Sequence, residues 1–159
     1  ISSGMPLSAV IGPASILDMY PQGSMTSTHT GNPVCEAAAI ANLGVIRDEC
    51  LVGNARRMGD ILQPELLRLG ERFKTRVGAV HGKGLVAAMH MVKPSGMIPD
   101  PDMAAKIVRL CVEKGLLMFA PVGYGGASVK ISPPLTITEE PLRESISVLE
   151  EAMAEAIGE

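Results

Sequence analysis

The densest group of side chains able to do chemistry is the run Ser27-Thr28-His29-Thr30-Gly31-Asn32-Pro33. Hydroxyls and loop amides are directional hydrogen-bond donors, and an imidazole set among them is an acid–base group. On residue types alone a plainer reading is favoured, in which the hydroxyls satisfy the loop and Asn32 caps a helix. The other candidates are weaker. Gly82-Lys83-Gly84-Leu85-Val86-Ala87 fits G-x-G-x-x-A. Its glycines precede a strand pattern rather than opening a helix, so no helix N-terminus would face a pyrophosphate, and a tight turn is the better reading. His81 and His90 have no second ligand at metal spacing and are read as structural residues, with no metal site expected. Cys35, Cys50 and Cys111 are odd in number and widely spaced, which points to buried free thiols rather than a disulfide framework or zinc site. There is no G-x-S-x-G elbow, no Cys/His pair at suggestive spacing and no carboxylate cluster in one apolar segment.

Composition bounds what these residues can serve. The 159 residues are 47% apolar and 19% charged, a globular balance sufficient for one domain core. A formal charge of −3, dispersed lysines and arginines and only 3% aromatics argue against nucleic acid and anionic membrane as partners. No apolar run approaches the roughly 18 residues of a spanning helix, and the free thiols suit a cytoplasmic setting.

Helices and strands must position the candidates. Ser8–Ile11 reads as a short strand and Ala14–Met19 as a helical turn. Asn32 as N-cap and Pro33 at the first helical position open an Ala-rich helix. Leu51–Phe73 resumes helical periodicity, with Pro64 expected to kink or divide it. Thr75–Val80 and Leu85–Val92 read as strands about Gly82-Lys83-Gly84, with Leu85, Ala87, Met89 and Met91 on one face. Asp100 and Pro101 open a helix expected to bury Ala105, Val108, Cys111 and Val112, ended by Gly115. Leu116–Ala120 and Ser128–Ser132 read as two strands around a Gly123-Tyr124-Gly125-Gly126 turn. Thr138 is expected to cap a last helix with the stripe Leu142, Ile146, Leu149, Met153 and Ile157. This order describes a small α/β sandwich preceded by a long connecting helix.

Several blocks carry a family resemblance. Ile1-Ser2-Ser3-Gly4-Met5-Pro6-Leu7-Ser8-Ala9-Val10-Ile11-Gly12 resembles the stretch after the Schiff-base lysine in class III aminotransferases, which depend on pyridoxal phosphate (PLP). Ser27-Thr28-His29-Thr30-Gly31-Asn32-Pro33 is similar to the family's Ser/Gly-Thr-x-x-Gly-x-Pro segment, whose Thr donates to the PLP phosphate of the neighbouring subunit. The resemblance therefore implies Thr28, with Ser27 beside it, as cofactor-binding residues. His29 stands where the family often has an aromatic, which implies stacking or shape rather than proton transfer. Val80-His81-Gly82-Lys83-Gly84-Leu85 is similar to Val-Arg-Gly-x-Gly-Leu, with His81 in place of the Arg. Lys130, before Ile131-Ser132-Pro133-Pro134-Leu135, stands where many members have an Arg that forks onto a substrate carboxylate. A lysine supplies a point charge without the fork, so Lys130 is either a weaker substrate contact or a strand lysine with its ammonium in solvent.

The resemblance implies the C-terminal part of a homodimeric fold-type I enzyme. Residues 1–32 would end the large PLP-binding domain with a partner-reaching loop, 33–74 would connect, and 75–159 would form the small C-terminal α/β domain. The Schiff-base lysine is expected shortly upstream of Ile1, which is not an initiator Met, so no catalytic residue is assigned in this chain and the fragment alone is expected to be inactive. The parent would transfer an amino group between an amino donor and an oxo acid or aldehyde. A related racemase, decarboxylase or aminomutase, or a non-catalytic dimerisation module, remains the alternative.

Overall fold

The computed structural model describes residues 1, 4–24 and 26–159, so the Ser2-Ser3 pair of the first block and Met25 lie outside the described residues. Contacts divide the chain into two compact units, Ile1–Leu51 and Val52–Glu159.

In the first unit, α1 is the single turn Ala14–Leu17 and α2 is the 16-residue helix Pro33–Asp48. Ser8–Ile11 is not a strand: Val10 is 82% and Ile11 95% exposed, and no ladder forms there among the described residues. A strand needs a neighbour to exchange its backbone hydrogen bonds with. Beyond α2, Cys50 takes φ +53° and is exposed, which corrects the expectation of three buried thiols; Cys35 and Cys111 are buried.

The second unit holds a three-stranded antiparallel sheet in the order β1 (Val77–Lys83), β2 (Val86–Met91), β3 (Ser128–Ile131). Lys83 pairs Val86, so only Gly84 and Leu85 join β1 to β2, and Gly84 takes φ +56° at the first turn position as a type II′ hairpin requires. The turn is thus shorter than the sequence suggests, because Gly82 and Lys83 stay in the ladder. Ala87, Met89, Met91, Val129 and Ile131 share one buried face. Against that face pack α3 (Leu51–Arg72), α4 (Pro101–Glu113) and α5 (Glu139–Ile157), through Leu62, Leu66, Leu69 and Phe73, through Ala104 and Ile107, and through Leu142, Ile146, Leu149 and Met153. The result is the expected small α/β sandwich, with one sheet face covered. No helix among the described residues is long and apolar enough to cross a membrane.

For Pro64 one of the two expected outcomes falls away, and three other local expectations are corrected. Pro64 lies inside α3 without dividing it. Pro64 and Asp60, whose carbonyl loses its helical donor, both lie on the exposed side, where that carbonyl is open to solvent. Helix α4 buries Ala104, Ile107, Leu110 and Cys111, whereas Ala105 and Val112 are exposed and Val108 is partly buried. Two apolar stripes run along α4, and packing on the sheet selects the one a residue earlier. Leu116–Ala120 keeps a strand-like alternation, with Leu116 and Met118 packed on the core and Leu117 and Phe119 exposed, yet makes no ladder. Only the Val122–Ser128 bridge closes this edge, through N–H···O bonds of 3.0 and 2.9 Å, and Tyr124–Gly126 is a 3-10 turn. Thr138 occupies the N-cap position of α5, but its hydroxyl makes no cap hydrogen bond.

Two devices lock the layers. Gly59 of α3 lies against Gly84, a Cβ on Gly59 would overlap the Gly84 backbone, and Gln63 Nε2 donates to the Gly84 carbonyl at 2.8 Å. Gly59→Ala is expected to destabilise the unit by about 1–3 kcal/mol in urea unfolding, the usual cost of overpacking. Between α3 and α5, Arg68 holds Glu150 with two parallel bonds of 3.0 and 2.6 Å, and Arg72 joins the same carboxylate. The Arg68 hydrogen bonds lower the Glu150 carboxyl from the ordinary 4.5 to about 2; partial burial opposes the shift and Arg72 reinforces it. Because the folded value is the lower one, this stabilisation is complete above pH 4.5 and is lost as the pH falls toward 2. Glu150→Gln is expected to cost about 1 kcal/mol at pH 7, a figure reduced for the half-exposed arginines, and to cost little at pH 2. Denaturant melts at both pH values test this; equal losses at both would contradict it.

Candidate functional site

The hydroxyl loop of the first unit is built by short-range bonds. The Ser27 N–H donates to Thr30 Oγ1 at 3.1 Å, the two hydroxyl oxygens lie 3.1 Å apart, and the Thr30 N–H returns to the Ser27 carbonyl at 3.1 Å. Ser27 and Thr30 thus close a turn with Thr28 and His29 at its tip. Both tip residues are exposed, and the Thr28 hydroxyl has no protein partner among the described residues. Gly31, at φ +72°, then turns the chain into α2. Asn32 Oδ1 accepts from the Val34 and Cys35 N–H groups at 3.0 and 3.3 Å, and Pro33 follows at the first helical position, as expected from the sequence.

Sequence reasoning named Ser27 and Thr28 but missed Thr30, whose hydroxyl fixes the loop. The signal was there in the three-residue spacing of two hydroxyls. The consequence is a division of labour: Ser27 is engaged internally, and Thr28 projects an uncommitted donor.

Lys130 belongs to the second unit. It lies on β3 opposite Ala88, with Nζ 4.8 Å from the centroid of the Phe119 ring. It borders an apolar cavity of about 190 Å³ formed with Leu116–Phe119, Pro133, Pro134 and Ser145. Its ammonium is therefore held over an aromatic face rather than left in open solvent. His90 Nδ1 lies 3.1 Å from Ser128 Oγ, with the Tyr124 ring 6.2 Å away, which fits a structural residue. His81 is exposed on β1. Among the described residues no group of His, Cys, Asp or Glu could hold a metal ion. Burial pushes the Cys111 thiol up to about 11, with Lys114 opposing, so it is a neutral core group.

This fold recurs in PLP enzymes. An amine transaminase from an uncultivated Pseudomonas species, solved in its PLP-bound form, matches 85% of this chain with a TM-score of 0.73 and 34% identity, the match covering 30% of that protein. An acetylornithine aminotransferase from Elizabethkingia anophelis matches 89% with a TM-score of 0.72 and 31% identity, over 33% of its length. The described architecture is thus that of fold-type I PLP enzymes.

Residues 1–153 match the family described as aminotransferase class-III, and the chain belongs to that family. Curated relatives include an alanine/serine racemase of Pyrococcus horikoshii, 38% identical over 99% of this chain, and a 4-aminobutyrate aminotransferase of Mycobacterium leprae, 33% identical over 94%. A leucine/methionine racemase of Thermococcus litoralis is 34% identical over 98%. The chain spans about a third of the length of these relatives, 32–34%.

Since the loop rests on the Asn32 cap, Asn32→Ala is expected to cost about 1 kcal/mol in thermal unfolding and to speed amide hydrogen exchange at Val34 and Cys35. Unchanged protection at both amides would contradict the assignment.

Proposed function

We propose that this chain is the C-terminal part of a PLP-dependent enzyme whose parent transfers an amino group between an amino donor and an oxo acid or aldehyde. The carrying observation is the family membership together with a loop that projects an uncommitted Thr28 hydroxyl beside the start of α2. Residues 1–32 would complete a cofactor domain, 33–74 connect it, and 75–159 form the small domain, within a homodimer of the kind usual for this family.

The donor set suits a phosphate. Thr28 offers a hydroxyl with no competing protein bond, and Ser27 Oγ can donate outward while accepting from Thr30. The N–H groups of Val34 and Cys35 are already taken by Asn32, so the hydroxyls rather than these helix amides are the available donors. Bound PLP supplies the electron sink that labilises bonds at the amino-acid α-carbon. In this reading Thr28 donates to a phosphate oxygen, Ser27 sets the loop's direction, and the Lys130 ammonium meets a substrate carboxylate as a single point charge. The lysine that moves the proton lies in the portion preceding this chain, so the 159-residue chain alone should be inactive.

A racemase reading is also supported, since two of the similar relatives carry that name. The two differ in what they consume: amino transfer needs an acceptor, whereas racemisation inverts one amino acid without one. Assay of the intact parent against a panel of amino donors, with and without an oxo-acid acceptor, separates them. In the same protein Thr28→Ala is expected to weaken PLP binding by about 1–2 kcal/mol, the loss of a hydrogen bond to a charged group. Unchanged cofactor affinity would remove Thr28 from the site. The 159-residue chain mixed with PLP and borohydride should give no stoichiometric adduct on Lys83 or Lys130.

A further inference from the structure

Val122 and Ser128 exchange two backbone hydrogen bonds, and the chain on either side of that bridge is able to continue it. Bonded and non-bonded pairs alternate in an antiparallel ladder, so the next pairs would be Pro121 with Val129, Ala120 with Lys130, Phe119 with Ile131, Met118 with Ser132 and Leu117 with Pro133. Pro121 and Pro133 both fall at non-bonded positions, where a missing N–H costs nothing. Yet the ladder stops at the bridge. Among the described residues neither Met118 nor Ala120 makes a backbone hydrogen bond.

The cause is the face that the segment presents. Directly paired residues share a face, so a strand running on from Val122 would turn Leu117 and Phe119 toward the helices, beside the buried Val129 and Ile131. The structure has the opposite parity. Leu116 and Met118 pack on the core, whereas Leu117 is 86% and Phe119 57% exposed, and the Phe119 ring lies 4.8 Å from the Lys130 ammonium. Alternation therefore slips by one residue between Phe119 and Val122. The slip leaves two large apolar side chains in solvent at the rim of the apolar cavity of about 190 Å³ that both help to line. Leu116-Leu117-Met118-Phe119 is apolar at every position, so a shift of one residue exchanges one apolar pair for another and the pattern does not choose the register. Gly115, at φ +90° with open space around it, can take up the shift.

We propose that Leu116–Ala120 is a two-register strap. In the register described, Leu116 and Met118 face the core and Phe119 holds the Lys130 ammonium. In the other, the segment joins β3 as a fourth strand, Leu117 and Phe119 enter the cavity, and Lys130, now on the opposite face of the sheet from Phe119, is released. The proposal concerns the register alone and holds whatever Lys130 contacts in the parent, so its failure leaves the proposed function untouched.

Disulfide trapping in the intact parent tests this, with Cys50→Ser removing the exposed thiol of this chain. Positions 118 and 132 stand opposite each other on the outer face only in the second register. Oxidised glutathione should therefore couple the thiols of a Met118→Cys, Ser132→Cys variant, as peptide mass spectrometry maps, and adding Leu117→Ser with Phe119→Ser should slow that coupling at least tenfold. Amide hydrogen exchange supplies a second reading without new thiols. Leu116→Ser with Met118→Ser, which disfavours the register described, should slow exchange at Ala120 and Lys130 at least tenfold, whereas Leu117→Ser with Phe119→Ser should not slow it. Absence of coupling overturns the second register, as does coupling at the same rate with and without the Leu117 and Phe119 side chains. Unchanged exchange at Ala120 and Lys130 in the Leu116 and Met118 variant, shown by thermal unfolding to be folded, overturns it as well.

Discussion

One-sided burial of the sheet is the constraint on which the second unit depends. Three strands joined in a short antiparallel ladder cannot bury both faces, so alternation along β2 decides which residues become core and which become surface. Ala87, Met89 and Met91 point to the helices, and Val86, Ala88 and His90 point away. A slip of one residue would put His81, Ala88 and Lys130 into the apolar layer and expose the methionines. The hairpin turn opposes it, because Gly84 is seated on Gly59 of α3 so closely that a Cβ on Gly59 would overlap the turn's backbone. The surface chemistry of the sheet is therefore set by packing on its opposite side.

Charge placement follows the same division. Arg68, Arg72 and Glu150 tie α3 to α5 at the helical side. At the other end of α3, Asn54 Nδ2 donates to the carbonyls of Leu135 and Ile137 and holds the segment that leads into α5. Asp100 does two things at once: Oδ1 accepts from the Met103 N–H at the start of α4, and Oδ2 pairs with Arg76 at 2.8 Å. That pair is largely removed from solvent, and Arg76 Nε is buried with no partner among the described residues, so the desolvation cost offsets much of the attraction; what the pair does visibly is join the start of α4 to the residue before β1. With the carboxylates committed to the helices, the outer sheet face is left with cations.

Features encoded by neighbours in sequence were legible, and features decided by distant packing were not. Asn32-Pro33, the β2 alternation and the α5 stripe each need only a few residues to declare themselves, and the structure agrees with them. The face of α4 was misread because its two apolar stripes are equivalent until the sheet arrives to choose. Leu116–Ala120 was misread for the opposite reason, since its alternation is real but its ladder is not made beyond Val122. In the candidate site, Thr28 and Ser27 are named through family resemblance, and Thr30 was available from spacing alone. The approach of Lys130 to Phe119 was not legible, because it joins segments that no local periodicity relates.

That approach bears on what a lysine at this position can do. A guanidinium carries its own geometry, with two parallel donors that accept a carboxylate in one plane. An ammonium carries none, and left in solvent it would sample many rotamers at a cost recovered only on binding. Packing against Phe119 narrows that sampling without supplying a counter-charge, so Lys130 is partly ordered yet still electrostatically unsatisfied. In the proposed contact with a substrate carboxylate, selectivity would not come from the lysine alone, since a point charge does not distinguish one carboxylate from another. It would have to come from what stands around the side chain, the apolar cavity that Lys130 borders with Phe119, Pro133 and Pro134.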